Sequence, residues 1–224
     1  GLDKDNHSPS AYDMALLGAE VMRNPTLAAI VAKKSAVIEM GNPKRKVTVT
    51  NHNRLLSLYP YATGMKTGYT KKSGKCLVSS AVKDGVTLVA ATLNGGDYWN
   101  DHMKLYNYGF TQVQRVQLEP PPLPDVAVAG GQTGKVQVLT EQPPAVTLLK
   151  GEEETLSVRV ELAPFVWAPV EQGQRLGYVR YRAGERELCR LPIQAPYAVE
   201  ARPVAAYPEQ AKRWFGKLLR AFLS

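Results

Sequence analysis

The chain has 224 residues, 44% hydrophobic and 21% charged, the make-up of a folded globular protein and not of a disordered or collagen-like one. No apolar run reaches the roughly 18–20 residues that span a bilayer as a helix, and the N-terminus carries no signal-peptide pattern. Lys and Arg outnumber Asp and Glu by 28 to 20, a net charge of +8 that suits an anionic partner, but the basic residues are scattered and form no helix-turn-helix, zinc-finger or RNP pattern, so nucleic acid is not expected.

In chain order, Ser10 caps a predicted helix whose third residue is Asp13, a capping-box arrangement, with Met14, Leu17, Val21 and Met22 on one face. Asn24-Pro25 ends it and opens a short second helix. Residues 36–40 and 46–50 alternate as a hairpin joined through Gly41-Asn42-Pro43. Asn51 and Asn53 read as Asx-turn residues supporting a nearby cleft. Residues 77–82 and 86–93 form a second hairpin around Lys83-Asp84-Gly85, and its first strand is expected to pair with a strand carrying Lys66. A helix from about residue 99 to 110 closes this part, with Trp99, Met103, Tyr106 and Phe110 spaced for burial.

The character changes near residue 112. Leu118-Glu119-Pro120-Pro121-Pro122-Leu123-Pro124 is an extended linker or edge, since consecutive prolines exclude helix. Residues 126–129, 135–140, 145–149, 156–162, 175–181 and 187–193 then read as short strands between Gly- or Pro-containing turns, the pattern of a small β-sandwich. Gly130-Gly131-Gln132-Thr133-Gly134-Lys135 is one residue short of a phosphate-binding loop and has Val136 where that loop needs a hydroxyl, so it reads as a hairpin turn. Cys76 and Cys189 fall in separate parts and read as packed thiols without a bond between them. His7, His52 and His102 share no ligand spacing, and neither a metal nor a cofactor is expected.

The most informative tripeptide is Lys66-Thr67-Gly68: a fixed ammonium, a hydroxyl that can bond an anion, and a residue without a side chain beside which substrate can approach the backbone. Alone it is common enough to be a turn leading into a strand. Its flanks change that reading. Gly1-Leu2-Asp3, Ser10-Ala11-Tyr12-Asp13-Met14-Ala15, Asn51-His52-Asn53-Arg54-Leu55-Leu56, Gly64-Met65-Lys66-Thr67-Gly68-Tyr69-Thr70 and Asn107-Tyr108-Gly109-Phe110 occur in one order at characteristic separations. Together they resemble the serine-type D-alanyl-D-alanine carboxypeptidases, the low-molecular-mass penicillin-binding proteins, closely over residues 1–112 and more loosely beyond.

The resemblance implies an α+β fold: part of a penicillin-binding, β-lactamase-like domain over 1–112, a β-rich second domain over 113–205, and an amphipathic helix over 206–224. It implies that the backbone N–H of Tyr69 is one oxyanion donor, that Thr67 and Thr70 bond the substrate carboxylate beside Gly68, and that Lys66 supplies positive potential. It also implies a nucleophile motif, S-x-x-K, and an S-x-N motif upstream of Gly1, so the chain reads as the C-terminal part of a longer enzyme. Two internal look-alikes fail. Ser80-Ala81-Val82-Lys83 sits in a strand-like stretch, where residues three apart face opposite sides, and Tyr98-Trp99-Asn100 follows Lys66 where the family's second motif precedes it. Many relatives carry an arginine after the second hairpin that helps bind the carboxylate. Here the segment is Asp97-Tyr98-Trp99-Asn100-Asp101-His102, so carboxylate recognition is expected to be shared differently.

In residues 211–223, Ala211, Trp214, Phe215, Leu218, Leu219 and Phe222 recur at helical spacing, with Lys212, Arg213, Lys217 and Arg220 mostly elsewhere, which suits a helix over 209–224 lying on an anionic membrane surface. The partners implied are the peptidoglycan stem peptide, β-lactams, that membrane surface and the enzyme's own N-terminal segment, on the outer face of the cytoplasmic membrane. The other class of function is a truncation or homologue without the nucleophile that holds cell-wall peptide without cleaving it.

Overall fold

The computed structural model describes residues 8–203 and 213–214. The chain divides into two compact units, Gly1–Val116 with Thr147–Lys150, and Gln117–Val146 with Gly151–Ser224.

The first unit opens with α1 (Ala11–Arg23), which has the expected capping box: the Asp13 N–H donates to Ser10 Oγ at 3.1 Å, and the Ser10 N–H and Oγ donate back to the Asp13 carboxylate at 2.9 and 2.7 Å. These bonds hold the Asp13 carboxyl below its ordinary range. Leu17, expected on the buried face, is 61% exposed. The contact centres instead on Gly18, one position along and about 100° round the helix. A methyl group at Gly18 would lie 2.7 Å from Met65 Cε, 2.8 Å from Val89 Cγ1 and 2.9 Å from Val78 Cγ1, so the helix sits against the sheet at a distance only glycine permits. Asn24 caps α2 (Pro25–Val31), its Oδ1 accepting from the Thr26 and Leu27 N–H groups. The hairpin follows as β1 (Ser35–Met40) and β2 (Arg45–Thr50), antiparallel from Ser35 opposite Thr50 to Met40 opposite Arg45.

Asn51 and Asn53 then build two successive Asx turns. The Asn53 N–H donates to Asn51 Oδ1 at 2.9 Å and the Leu55 N–H donates to Asn53 Oδ1 at 3.1 Å, starting the short helix α3 (Leu55–Leu58). β3 (Ala62–Thr70), β4 (Gly74–Lys83) and β5 (Val86–Thr92) form an antiparallel sheet in that spatial order, as expected for the Lys66 strand. α4 (Tyr98–Gln112) packs its Tyr106 into a core with Leu55, Tyr59, Leu77, Ala81 and Ala90, and Trp99, Met103 and Phe110 lie against it as their spacing predicts. Each large apolar side chain buried this way contributes on the order of 1.5–3 kcal/mol.

A polar network unforeseen in the sequence lies inside that core. His102 on α4 is fully buried, with Nδ1 joined to Ser79 Oγ at 2.6 Å and Nε2 to Thr92 Oγ1 at 3.0 Å. Ser79 Oγ is also joined to the Tyr106 hydroxyl at 2.6 Å. Burial pushes His102 down to about 4, against an opposing pull from the Asp101 charge, and pushes the Tyr106 phenol far above its ordinary range.

β6 (Val113–Gln117) follows α4 directly. In the second unit, β7 (Val126–Ala129) and β8 (Lys135–Val136) form the hairpin read from the glycine-rich segment, with Gly130 at φ 73° and Lys135 paired with Asp125 at 2.6 Å. The expected strand 135–140 is broken, with β9 (Leu139–Thr140) joining another sheet. β10 (Ala145–Leu149), expected in the sandwich, instead forms a two-stranded sheet with β6, and the Lys150 N–H donates to the Gln112 carbonyl at 2.9 Å.

After a short 3-10 turn, Glu152–Thr155, come β11 (Leu156–Leu162), β12 (Phe165–Trp167), β13 (Arg175–Ala183) and β14 (Arg186–Gln194). The sheets have orders β11-β13-β14-β9 and β12-β7-β8, with β12 parallel to β7. Val128, Val136, Val170 and Val199 anchor one core cluster and Leu118, Val179, Tyr181 and Ile193 another, with Val138 and Leu162 packed against both. The amphipathic helix read over 209–224 lies outside the described residues except for Arg213 and Trp214.

Candidate functional site

β3 is the edge strand of its sheet, so one side of its backbone ladder has no strand partner among the described residues. All five residues picked from the sequence lie on it, and alternation divides them: Lys66, Gly68 and Thr70 toward one face, Thr67 and Tyr69 toward the other. Lys66 is exposed, and its Nζ donates to the Thr67 carbonyl. Gly68 is exposed opposite Cys76, and the nearest atom to a Cβ built on it is Cys76 Cβ at 3.8 Å. Tyr69 is 70% exposed and cannot owe its place to packing, whereas Thr70 Oγ1 accepts the Ser73 N–H at 2.9 Å and closes the turn into β4.

The neighbouring chemistry is cationic and aromatic. Lys75 on β4 is the cross-strand partner of Tyr69, and its Nζ lies 5.9 Å over the Tyr98 ring. Tyr98 in turn packs on Trp99, with ring centroids 4.3 Å apart. At the two Asx turns and α3, a pocket of about 350 Å³ is lined by Lys34, Asn51, Asn53, Arg54 and Ser57 among others, with no β3 residue in its lining. Asn53 is 2% exposed, and its Nδ2 is a buried donor without a hydrogen-bond partner.

Neither look-alike motif assembles a site. Ser80 is fully buried on β4 with its Oγ joined to Thr63 Oγ1 at 2.9 Å, while Lys83, on the same strand, has its Nζ 5.3 Å over the Tyr61 ring. Asn100 donates to Asp97 Oδ2 at 2.6 Å within the first turn of α4. Among the described residues no three His, Cys, Asp or Glu side chains are grouped to hold a metal, and Cys76 and Cys189 are free thiols.

Two family matches cover most of the chain: residues 1–97 match D-alanyl-D-alanine carboxypeptidase, and residues 122–201 match the penicillin-binding protein 5 C-terminal domain. The chain belongs to the D-alanyl-D-alanine carboxypeptidase family of low-molecular-mass penicillin-binding proteins. It is 25% identical over 201 residues to the D-alanyl-D-alanine carboxypeptidase DacF of Bacillus subtilis, a match covering 87% of this chain and 51% of that protein. To the carboxypeptidase DacC of Escherichia coli it is 28% identical over 201 residues, covering 86% and 49%. Among solved structures, penicillin binding protein 5 from Haemophilus influenzae superposes with a TM-score of 0.61 at 27% identity, over 89% of this chain and 59% of that one. The chain thus spans about half the length of the carboxypeptidases it matches. Within this family the edge strand that carries Lys66-Thr67-Gly68 is the candidate active-site strand.

Proposed function

We propose that this chain is the C-terminal part of a serine-type D-Ala-D-Ala carboxypeptidase that removes the terminal D-Ala from peptidoglycan stem peptides through an acyl-enzyme and is acylated by penicillins. The observation that carries this reading is an open edge strand presenting Lys66, Thr67 and Gly68 in register beside an exposed Tyr69. A substrate lying along that edge would place its scissile carbonyl against the Tyr69 N–H, with Thr67 toward its carboxylate and the Lys66 ammonium adding positive potential. Thr70, read from the sequence as a second carboxylate contact, is turned to the other face with its Oγ1 in the turn into β4. The serine and its activating lysine belong to the upstream segment, the reaction needs no metal or cofactor, and the work is done outside the cytoplasm.

The test is acylation by a fluorescent penicillin, read on a denaturing gel. Chain 1–224 alone is expected to stay unlabelled, because its one S-x-x-K look-alike has a buried serine on a strand, and the complete enzyme is expected to be labelled. A labelled band at the mass of this chain alone would sink the assignment and return attention to Ser80. A complete enzyme that binds stem peptide but takes no label would favour the non-catalytic binding homologue.

The sequence pattern of 209–224 supports a second element of the proposal, a helix lying on the anionic outer surface of the cytoplasmic membrane. Each Lys or Arg near such a surface contributes about 1 kcal/mol. The Trp214→Glu/Leu218→Glu variant is expected to lose co-sedimentation with anionic vesicles at unchanged thermal stability. Unchanged vesicle binding with a large loss of stability would mean that this segment packs on its own protein.

A further inference from the structure

The face of β3 that carries Thr67 has no arginine near it from the 97–102 segment, yet it does not lack a cation. Cross-strand partners in an antiparallel ladder point to the same face, so Lys75, opposite Tyr69, stands on the face of Thr67 and Tyr69, whereas Lys66 points to the other. Lys75 is exposed and joins no ion pair among the described residues, and the Asp97 carboxylate accepts a hydrogen bond from Asn100 at 2.6 Å. Its ammonium is seated 5.9 Å over the Tyr98 ring, at the first position of α4. A ring face restrains a cation without neutralising it, so the charge is positioned and still available to an anion.

The rest of the arrangement is built to hold that position. The Lys75 carbonyl accepts the Gly95 N–H at 2.9 Å, tying β4 to the loop before α4, and Trp99 backs the Tyr98 ring. Gly74, at φ 64°, lies so close to Asn94 that a Cβ there would be 2.0 Å from its Oδ1, which fixes the backbone beside Lys75. Tyr69, 70% exposed, completes a Tyr69–Lys75–Tyr98 ladder at the open end of the sheet.

We propose that Lys75, held on Tyr98, is the substrate-binding cation that receives the terminal carboxylate of a ligand lying along β3. The inference rests on the reading of β3 as the substrate strand. Tyr98 occupies the segment where an arginine is absent and serves as the platform for a lysine that reaches the same face from β4.

The experiment uses the complete enzyme containing this chain, with an N-acylated peptide ending in D-Ala-D-Ala and the same peptide ending in a carboxamide. Loss of a charge-assisted bond is expected to lower kcat/KM of Lys75→Met for the carboxylate peptide roughly ten- to a hundredfold, chiefly through KM, and to erase most of the discrimination against the carboxamide. Lys75→Arg should restore much of it, and Tyr98→Ala, which removes the platform, should lose part. Lys71→Met, at the hairpin tip, serves as the charge control and should behave as the parent. Unchanged discrimination in Lys75→Met, or an equal loss on both peptides at unchanged melting temperature, overturns the proposal. A parent enzyme that turns over neither peptide overturns the reading of β3 itself, a distinguishable result.

Discussion

Lys66→Ala in the complete enzyme is expected to lower the rate of acylation by penicillin about 10²- to 10³-fold, the scale on which removal of one preorganised electrostatic contributor acts. Stability should hardly move. The side chain is exposed, lies on an edge strand and makes its one described hydrogen bond to the adjacent Thr67 carbonyl, so its loss uncovers no core and orphans no buried partner. Thr67→Val, by contrast, removes a hydroxyl and not a charge, and should weaken recognition of the carboxylate more than it slows the chemical step. Stopped-flow acylation with a chromogenic β-lactam, alongside thermal melts, separates the two effects. Parental acylation rates in both variants would remove this strand from the active site.

The second large effect is on stability against acid. His102 is neutral in the folded protein and falls to about 4 because burial disfavours the imidazolium, whereas in the unfolded chain it titrates at its ordinary 6.5. The unfolded state therefore binds the extra proton first as pH falls. The contribution is fully present above about pH 6.5 and is lost as pH drops toward 4, at about 1.4 kcal/mol per pH unit and about 3 kcal/mol in all. Carboxylates titrate in the lower part of the same range, so the comparison must be with a His102→Leu variant. That variant is expected to be less stable at pH 7.5 by about 1–3 kcal/mol, because Thr92 and Ser79 lose a buried partner, yet to show a shallower decline between pH 6.5 and 5. Urea titrations at four pH values decide it, and parallel pH profiles for parent and variant would refute the role of His102.

Much of this was readable in advance because the signals are local. Ser10 and Asp13 are three residues apart, the hairpins are set by alternation and by glycine turns, and Lys66-Thr67-Gly68 is contiguous, so no tertiary knowledge was needed to place it on a strand. What escaped detection depends on partners distant in sequence. His102 looks like any polar helix residue until β4 and β5 bring Ser79 and Thr92 to its two nitrogens. Leu17 is exposed where its spacing predicts burial, because an apolar pattern carries no sign that the closest approach is made by a glycine. The strand at 145–149 reads the same whether its partner is a sandwich strand or β6, since period-two alternation carries no address. Lys75 escaped for a similar reason: only the β3–β4 register and the start of α4 put it between Tyr69 and Tyr98.

The tight seat of Gly18 bears on how this sequence can drift. Met65, whose methyl lies where a Cβ on residue 18 would go, is the immediate neighbour of Lys66, and the other two blocking atoms belong to stiff valines. Any side chain acquired at position 18 must move α1 or the sheet by some tenths of an ångström, and the movement arrives one residue from Lys66. On the proposed reading of β3 as the substrate strand, an intact Lys-Thr-Gly motif is therefore insufficient by itself to preserve acylation by penicillins in descendants of this sequence. A surveillance scheme that scores only the motif residues would overlook position 18.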